Sequence, residues 1–227
     1  MKKISEIIRE RLIKNKVSFK SNDNISKYVN EDELSLLKLE VQENVETLLQ
    51  SLVIDTKNCH NAHDTAKRVS KMYIDELFSG RYKPEPKITS FPNVKKYDQL
   101  FITGPIDVKS TCAHHHLPFI GKAWIGIFPG KNVIGLSKYN RVVEHICSRP
   151  QIQEECTEQI ADAIEKHTKA SGVAVVVKAA HFCMQCRGIK ANENDFTTSV
   201  MRGVLRKNKD LKYEFFNLLS TMKGIKD

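Results

Sequence analysis

The sequence has little of several features that mark whole classes of protein. Its 227 residues include one Trp, 10 Gly and 7 Pro, which excludes collagen-like and low-complexity chains. No apolar run approaches the roughly 18 residues that a membrane-spanning helix needs. The basic N-terminus contains no uninterrupted apolar stretch, so we expect no secretory signal. These absences predict a soluble, globular, cytoplasmic protein with no membrane partner.

The net charge of +9 is concentrated at the two ends of the chain. Residues 1–22 carry seven Lys or Arg against two Glu, residues 202–227 carry seven against three acidic residues, and the segment between them is balanced. No aromatic residues alternate with these basic runs, as they would on a surface that binds single strands. We therefore expect solvated ends and no nucleic-acid partner.

Hydrophobic periodicity divides the chain into three parts. Residues 1–29 are expected to form a basic extension with a short helix that frays into a linker. Residues 30–98 form a helical region, with one helix marked by an apolar stripe from Leu34 to Leu52 and a second from Asp64 or Thr65 to Gly80. Residues 99–227 combine strands near 100–109, 119–128, 173–183 and 197–205 with helices near 137–147, 152–168 and 211–222. This order predicts an α+β fold.

Two of the six cysteines lie in segments that contain several further potential metal ligands. The segment STCAHHH contains Cys112 and is followed far along the chain by HFCMQCRG, which contains Cys183. If the strand continues through it, Cys183 shares a face with His181, because alternate residues of a strand point the same way. Cysteine thiolate and histidine nitrogen are the ligands that zinc prefers. The sequence therefore predicts a metal site.

The spacing leaves the kind of metal site open. Two Cys and one His, with His114 or His115 as the third ligand, would leave a position for water, as in catalytic zinc sites. Cys112 and His115 with Cys183 and Cys186 would instead form a closed, structural site. In a third interpretation the histidines form a solvated turn and the two cysteines pack in the core.

Five segments together resemble the GTP cyclohydrolase I family, whose members open the imidazole ring of GTP in pterin synthesis with the help of zinc. They cover most of residues 45–218 in matching order and spacing, and they read TAKRVSKMY with ELFSG, STCAHHH, VIGLSKYNRVVE, RPQIQE, and HFCM with RG. The resemblance implies hydrolysis and rearrangement of GTP to formate and 7,8-dihydroneopterin triphosphate, the first step of pterin and tetrahydrofolate synthesis.

The resemblance also assigns roles to individual residues. It implies that Zn²⁺ is held by Cys112, His115 and Cys183, that His114 and His181 transfer protons, and that Ser137 transfers a proton in the later rearrangement. Glu154 would bind the N1–H and 2-amino donors of guanine with its two carboxylate oxygens. The cations that would bind the triphosphate are Arg68, Lys71, Lys138, Arg141 and Arg187.

The fold implied by the resemblance is the tunnelling fold, an antiparallel sheet with two long helices on one face. Family members assemble into rings whose active sites lie between subunits. A homodecamer of two stacked pentamers is therefore the expected oligomer.

Four positions depart from the family pattern. Ala113 stands where Glu is common, His116 extends a pair of histidines to three, Glu155 replaces an Arg, and Cys186 adds a thiol. They bear on rate and substrate preference more than on reaction class. Two other functions are considered: a reductase of the same fold that acts on a 7-deazaguanine nitrile with NADPH, and a non-catalytic paralogue with a structural zinc site that binds nucleotide or a partner. A nucleophilic Cys in register for the reductase is not found.

Overall fold

The computed structural model describes residues 2–191 and 195–224. The chain divides into two compact units, Met1–Pro84 and Glu85–Asp227. No helix in the described part of the chain combines the length and apolar character needed to cross a membrane.

The first unit consists of helices. They are α1 (Ile4–Lys14), a 3-10 turn (Ser26–Tyr28), α2 (Glu31–Ser51), α3 (Thr65–Lys71), a π-helical turn (Met72–Leu77) and α4 (Ser79–Tyr82). Asn30 begins α2 with a capping box, in which its side chain accepts from the backbone of Glu33 and the Glu33 carboxylate accepts from the backbone of Asn30. The predicted long helix is therefore confirmed, and its start has a local cause.

Two expectations for this unit need correction. The segment after α1 is not a free linker, because the Asn24 side chain donates to the carbonyls of Gly80 and Lys83. The helix expected to continue to Gly80 widens into the π turn, where the Phe78 N–H donates to the Tyr73 carbonyl five residues back at 2.9 Å. Side-chain packing supports the wider turn, since the rings of Tyr73 and Phe78 are 5.0 Å apart.

The second unit is built on a five-stranded sheet of order β5-β2-β3-β6-β7. The strands are β2 (Phe101–Cys112), β3 (Pro118–Phe128), β5 (Pro150–Gln151), β6 (Gly172–His181) and β7 (Asp195–Gly203). All neighbouring pairs are antiparallel except β2 and β5. Two short strands, β1 (Ser90–Pro92) and β4 (Asn132–Ile134), form a separate antiparallel pair.

Helices cover the two faces of this sheet unequally. On one face α5 (Leu136–Cys147) and α6 (Gln153–Thr168) pack their apolar sides against the larger core, which includes Val143, Ile160 and Val175. On the other face Trp124 and Phe215 belong to a smaller cluster under α9 (Lys209–Ser220). The short helices α7 (Phe182–Gln185) and α8 (Val204–Lys207) connect these elements. The α+β class is confirmed, and the sheet carries two helices on one face as the tunnelling-fold resemblance implies.

Candidate metal centre and active site

The tight turn between β2 and β3 carries three consecutive histidines. Cys112 is the last residue of β2, and its N–H donates to the Leu117 carbonyl at 2.8 Å. The N–H of His116 donates to the Cys112 carbonyl at 2.9 Å, and His116 adopts a left-handed backbone with φ of 54°. This short turn holds exposed imidazoles at the end of the sheet, beside the buried Cys112.

The backbone on the other side of Cys112 is held by β5. Cys112 pairs with Gln151 in the parallel register, and the Ala113 N–H donates to the Gln151 carbonyl at 3.1 Å. The fully buried Gln151 side chain donates in turn to the Ile146 carbonyl at 2.6 Å and to the Ser110 hydroxyl at 3.2 Å. The position of the first cysteine is therefore set by hydrogen bonds to two neighbouring segments.

Cys183 lies at the same end of the sheet, but in a different type of secondary structure from the one expected. β6 stops at His181, and Cys183 lies in the helical turn α7. The prediction that both residues share one face of a continuous strand is therefore wrong. Because Phe119 of β3 pairs with His181 of β6, the end of β6 lies next to the β2–β3 turn. The helical turn then places Cys183 beside that turn.

The structure brings Cys112, His115 and Cys183 together. Their potential ligand atoms all lie within 4.8 Å of one another. Burial and the adjacent Cys112 thiol raise the pKa of Cys183, so a thiolate at Cys183 would be stabilised by a nearby cation. Two sulfurs and one imidazole nitrogen are donors that zinc prefers, and three protein ligands are the number found in catalytic zinc sites. The residues present therefore fit the metal that the resemblance implies.

Cys186 lies outside this group of three. Its exposed thiol donates to the Phe182 carbonyl at 2.8 Å, which is a local bond within the helical turn. Among residues 2–191 and 195–224, the three-residue group is the only one of its kind. The arrangement favours three protein ligands over the closed, four-ligand site.

His181 is half-buried and lies two residues before Cys183 of the candidate metal centre. Its ring stacks on Phe119 with centroids 5.0 Å apart and an interplanar angle of 9°. Burial lowers the pKa of His181, and the carboxylate of Glu154 opposes that shift. The histidine is therefore neutral near pH 7 and can accept a proton.

The other predicted site residues in this unit lie on exposed surfaces. Glu154 is exposed in the first turn of α6, and Ser137 is exposed at the start of α5. His114 is exposed in the β2–β3 turn, with its ring centroid 6.4 Å from that of His115. Glu154 is the member of this group whose charge acts on His181.

The five predicted phosphate-binding cations lie on three separate elements. Arg187 follows α7, and its charge acts on the Cys183 thiol. Lys138 and Arg141 are on α5, where the Lys138 ammonium contacts the Lys87 carbonyl at 3.5 Å. Arg68 and Lys71 are exposed on α3 of the first unit. The structure thus brings Arg187 close to the metal ligands and leaves the other four on helix surfaces.

Two glutamines near the site were not identified from the sequence. Gln151 supports the backbone of Cys112, and the Gln153 side chain contacts His181. Both belong to the segment RPQIQE, which carries the resemblance but in which only the final Glu received a role. Their position just before the proposed guanine-binding residue Glu154 is the sequence feature that could have identified them.

Sequence comparisons with known proteins point to the same family. The family model described as GTP cyclohydrolase I matches residues 41–220. A protein named GTP cyclohydrolase 1 from Haemophilus ducreyi is 40% identical over 183 residues, which are 80% of this chain and 84% of that protein. Its namesake from Actinobacillus pleuropneumoniae is 39% identical over 184 residues, 81% of this chain and 84% of that protein.

A third relative and one solved structure complete the comparison. The protein named GTP cyclohydrolase 1 from Yersinia enterocolitica is 38% identical over 179 residues, 78% of this chain and 81% of that protein. The apo form of the archaeosine synthase QueF-Like matches with a TM-score of 0.37 and 14% identity over 46% of this chain and 92% of that one, a likeness too low to support an argument. The family model and the three relatives each cover more than three quarters of this chain, and the chain belongs to the GTP cyclohydrolase I family.

Proposed function

We propose that this protein converts GTP and water to formate and 7,8-dihydroneopterin triphosphate. The observation that carries the proposal is the Cys112, His115 and Cys183 group beside His181, in a chain that belongs to this family. When bound by these three residues, zinc would lower the pKa of a water molecule toward neutrality and so supply a nucleophile for hydrolysis. The chain's own side chains would then bind the substrate and move protons.

Proton transfer is assigned to His181 and His114. A neutral imidazole can take a proton from one group and return it to another near pH 7. The lowered pKa of His181 favours this neutral form. Ser137, exposed at the start of α5, is the proposed proton carrier for the later rearrangement of the sugar.

Substrate recognition is assigned to Glu154 and to five cations. The exposed Glu154 carboxylate can accept two hydrogen bonds from guanine, and its charge acts on His181. The triphosphate would be bound by Arg68, Lys71, Lys138, Arg141 and Arg187, since guanidinium and ammonium groups both pair with phosphate oxygens. The decamer with active sites between subunits, which the family resemblance implies, is part of the proposal.

The remaining proposals concern organisation. The catalytic domain would comprise residues 99–227, preceded by a basic extension at 1–29 and a helical region at 30–98, in a cytoplasmic enzyme. The second candidate function is a nucleotide-binding paralogue without activity, which Ala113 in place of the usual Glu keeps under consideration.

The test is turnover of GTP by the purified, zinc-loaded protein, with released formate and neopterin fluorescence measured in the same samples. Equal amounts of both products support the proposal. Formate without fluorescence would mean that ring opening proceeds and the rearrangement assigned to Ser137 fails. Neither product, with one zinc bound per chain, would reject the enzyme and favour the paralogue.

Two adjacent carboxylates of α6 provide a matched pair of variants for substrate recognition. Glu154 and Glu155 are both exposed in the first helical turn. Glu154→Gln exchanges an acceptor for a donor opposite guanine, and we expect kcat/KM to fall about 10–100-fold, the range for hydrogen bonds to charged groups. Glu155→Gln should change it less than about threefold, within the range of ordinary surface substitutions. Equal losses in both variants would contradict the role of Glu154.

A further inference from the structure

The side chain of Gln153 connects three elements around His181. Gln153 is the first residue of α6 and is fully buried. Its Nε2 lies 3.1 Å from the Val177 carbonyl of β6 and 2.9 Å from the Phe196 carbonyl of β7. Its Oε1 lies 2.8 Å from Nε2 of His181. One amide therefore joins two backbone carbonyls to one imidazole nitrogen.

The carbonyl partners fix which way the amide points. A backbone carbonyl can only accept a hydrogen bond, so the atom that faces Val177 and Phe196 must be the amide NH₂. The atom that faces His181 is then the amide oxygen, which can only accept. Nε2 of His181 must therefore carry the hydrogen, and in the neutral ring the lone pair lies on Nδ1.

The imidazole is held in this orientation from both sides. Phe119 stacks on one face, and the ring of Phe196 meets it edge-on with centroids 5.8 Å apart at 76°. Rotation of the ring by half a turn would break the bond to Gln153 and place a carbon atom against its oxygen. Packing and hydrogen bonding thus select the same rotamer.

The amide NH₂ also contacts a pair of threonines. Gln153 Nε2 lies 3.1 Å from the Thr198 hydroxyl, which is 2.7 Å from the Thr157 hydroxyl. Thr157 also lies 2.7 Å from the Gln153 carbonyl. The Val177 and Phe196 carbonyls can take both hydrogens of the NH₂, so these two groups of β6 and β7 hold the acceptor that faces His181, as precise orientation of a catalytic group requires.

We propose that Gln153 is a positioning residue that keeps His181 in the Nε2–H tautomer, so that the lone pair of the neutral ring lies on Nδ1. This inference rests on the proposed function of His181. An amide gives the ring a fixed hydrogen-bond partner without a negative charge, unlike the aspartate that orients histidine in hydrolase triads. The same bond survives in both protonation states of His181, since Nε2 is a donor in each.

The first test is independent of enzyme activity. In metal-free protein labelled with ¹⁵N-histidine, the resonance pair of His181 is assigned through its loss in His181→Asn. Couplings to the ring hydrogens distinguish Nε2 from Nδ1, and the unprotonated nitrogen resonates far downfield. We expect the downfield nitrogen of wild-type protein to be Nδ1. A downfield Nε2 would overturn the proposal, whatever the protein does with GTP.

The second test uses Gln153→Met and a matched control. Methionine has a similar length but offers no comparable acceptor, so the His181 signal should move toward a mixture of tautomers. We expect kcat to fall about 10–100-fold, within the contribution of acid–base catalysis, with KM for GTP changed less than about threefold. Thr198→Val removes one partner of the same amide but keeps its oxygen against His181. This control should retain the Nε2–H tautomer and lose less than about threefold in kcat.

The outcomes separate this proposal from the proposed function. A wild-type protein without turnover but with the expected tautomer would reject the function alone. Equal losses of kcat in Gln153→Met and Thr198→Val, with the tautomer unchanged in both, would reduce Gln153 to a structural role. Zinc content and thermal stability of each variant are measured in parallel, because a variant that binds less metal or unfolds early would lose activity without any change at His181.

Discussion

The second unit contains two pairs of neighbouring cysteines with different surroundings. Cys112 and Cys183 lie beside the exposed His115, with ligand atoms within 4.8 Å, and the charge of Arg187 acts on Cys183. Cys147 and Cys156 have sulfurs 3.7 Å apart and are buried in the larger core between α5 and α6. Proximity of two thiols is common to both pairs. The first pair alone has an imidazole and access from solvent.

The difference shows that burial decides what a thiol pair can do. The hydrogen bond with Cys147 and complete burial raise the pKa of Cys156 well above its usual value, so Cys156 stays protonated. A protonated buried thiol behaves as a small apolar group. Burial also disfavours the thiolate of Cys183, but a metal ion bound there would offset that cost. The first pair is therefore suited to binding a metal, and the second contributes to packing of the core.

The largest expected effect is loss of metal binding at the Cys112–Cys183 pair. Cys183→Ser removes one of three ligands, and we expect bound zinc to fall from one per chain to near zero. GTP turnover should fall by more than the roughly 10–100-fold that loss of a ligand's hydrogen-bonding partner costs. Elemental analysis after dialysis, with turnover on the same samples, measures both. The matched control is Cys147→Ala, which should keep one zinc per chain; loss of zinc in both variants would remove the distinction between the pairs.

The buried pair should affect stability and leave the metal alone. Cys156→Ala leaves a cavity of about one sulfur atom in a packed core, and we expect the free energy of unfolding to fall by about 1–2 kcal/mol. Urea denaturation measures that change, and zinc content should equal that of the wild type. A variant that unfolds like the wild type but loses zinc would show that this pair belongs to the metal centre.

The contrast between the pairs also shows how far the sequence could predict this structure. Helices α2, α5 and α6 and strands β2, β3 and β6 follow from strong local periodicity. The periodic argument failed for His181 and Cys183, because β6 ends between them and α7 turns the chain. It also missed the packing of the N-terminal segment, in which Ile8, Leu12 and Ile25 form a core of their own.

Contacts distant along the chain could not be predicted in the same way. The orientation of Gln153 depends on carbonyls of Val177 and Phe196, which are 24 and 43 residues away. The proposed ligand set of Cys112, His115 and Cys183 depends on the family resemblance, because spacing alone leaves His114 and Cys186 as alternatives. The 3.7 Å approach of Cys147 to Cys156 had no signal in the sequence, because isolated cysteines in apolar stripes pack in many ways.

The histidines near the two cysteine pairs also differ in burial, and this difference should appear in how stability depends on pH. His115 is exposed, whereas Nε2 of His145, two residues before Cys147, is buried and has no hydrogen-bond partner among the described residues. Burial and then the charge of Arg149 lower the pKa of His145 to about 4, against a smaller opposing effect of Glu85. As the pH falls, His145 is therefore protonated first in the unfolded chain, where the histidine pKa is near 6.5.

Stability contributed by neutral His145 is present above pH 6.5 and is lost as the pH falls toward 4. After allowance for partial exposure we expect about 1 kcal/mol over this range. Urea denaturation of wild type and His145→Gln at pH 7 and pH 5 isolates the effect, because other titrating groups are common to both. The stability of the variant should decline less between the two pH values. Parallel declines would mean that His145 is solvated and protonates freely in the folded state.

The smallest expected effect is at Cys186, which decides whether the Cys112–Cys183 pair belongs to an open or a closed site. Its thiol is exposed and bonded to the Phe182 carbonyl, outside the group of three ligands. Cys186→Ser should therefore keep one zinc per chain and change GTP turnover less than about twofold, since serine can donate the same local hydrogen bond. A closed site would instead lose its fourth ligand and release the metal to a competing chelator. Cys183 and Cys186 are only three residues apart. If Cys183→Ser loses zinc and Cys186→Ser keeps it, metal binding depends on which of the two thiols faces Cys112.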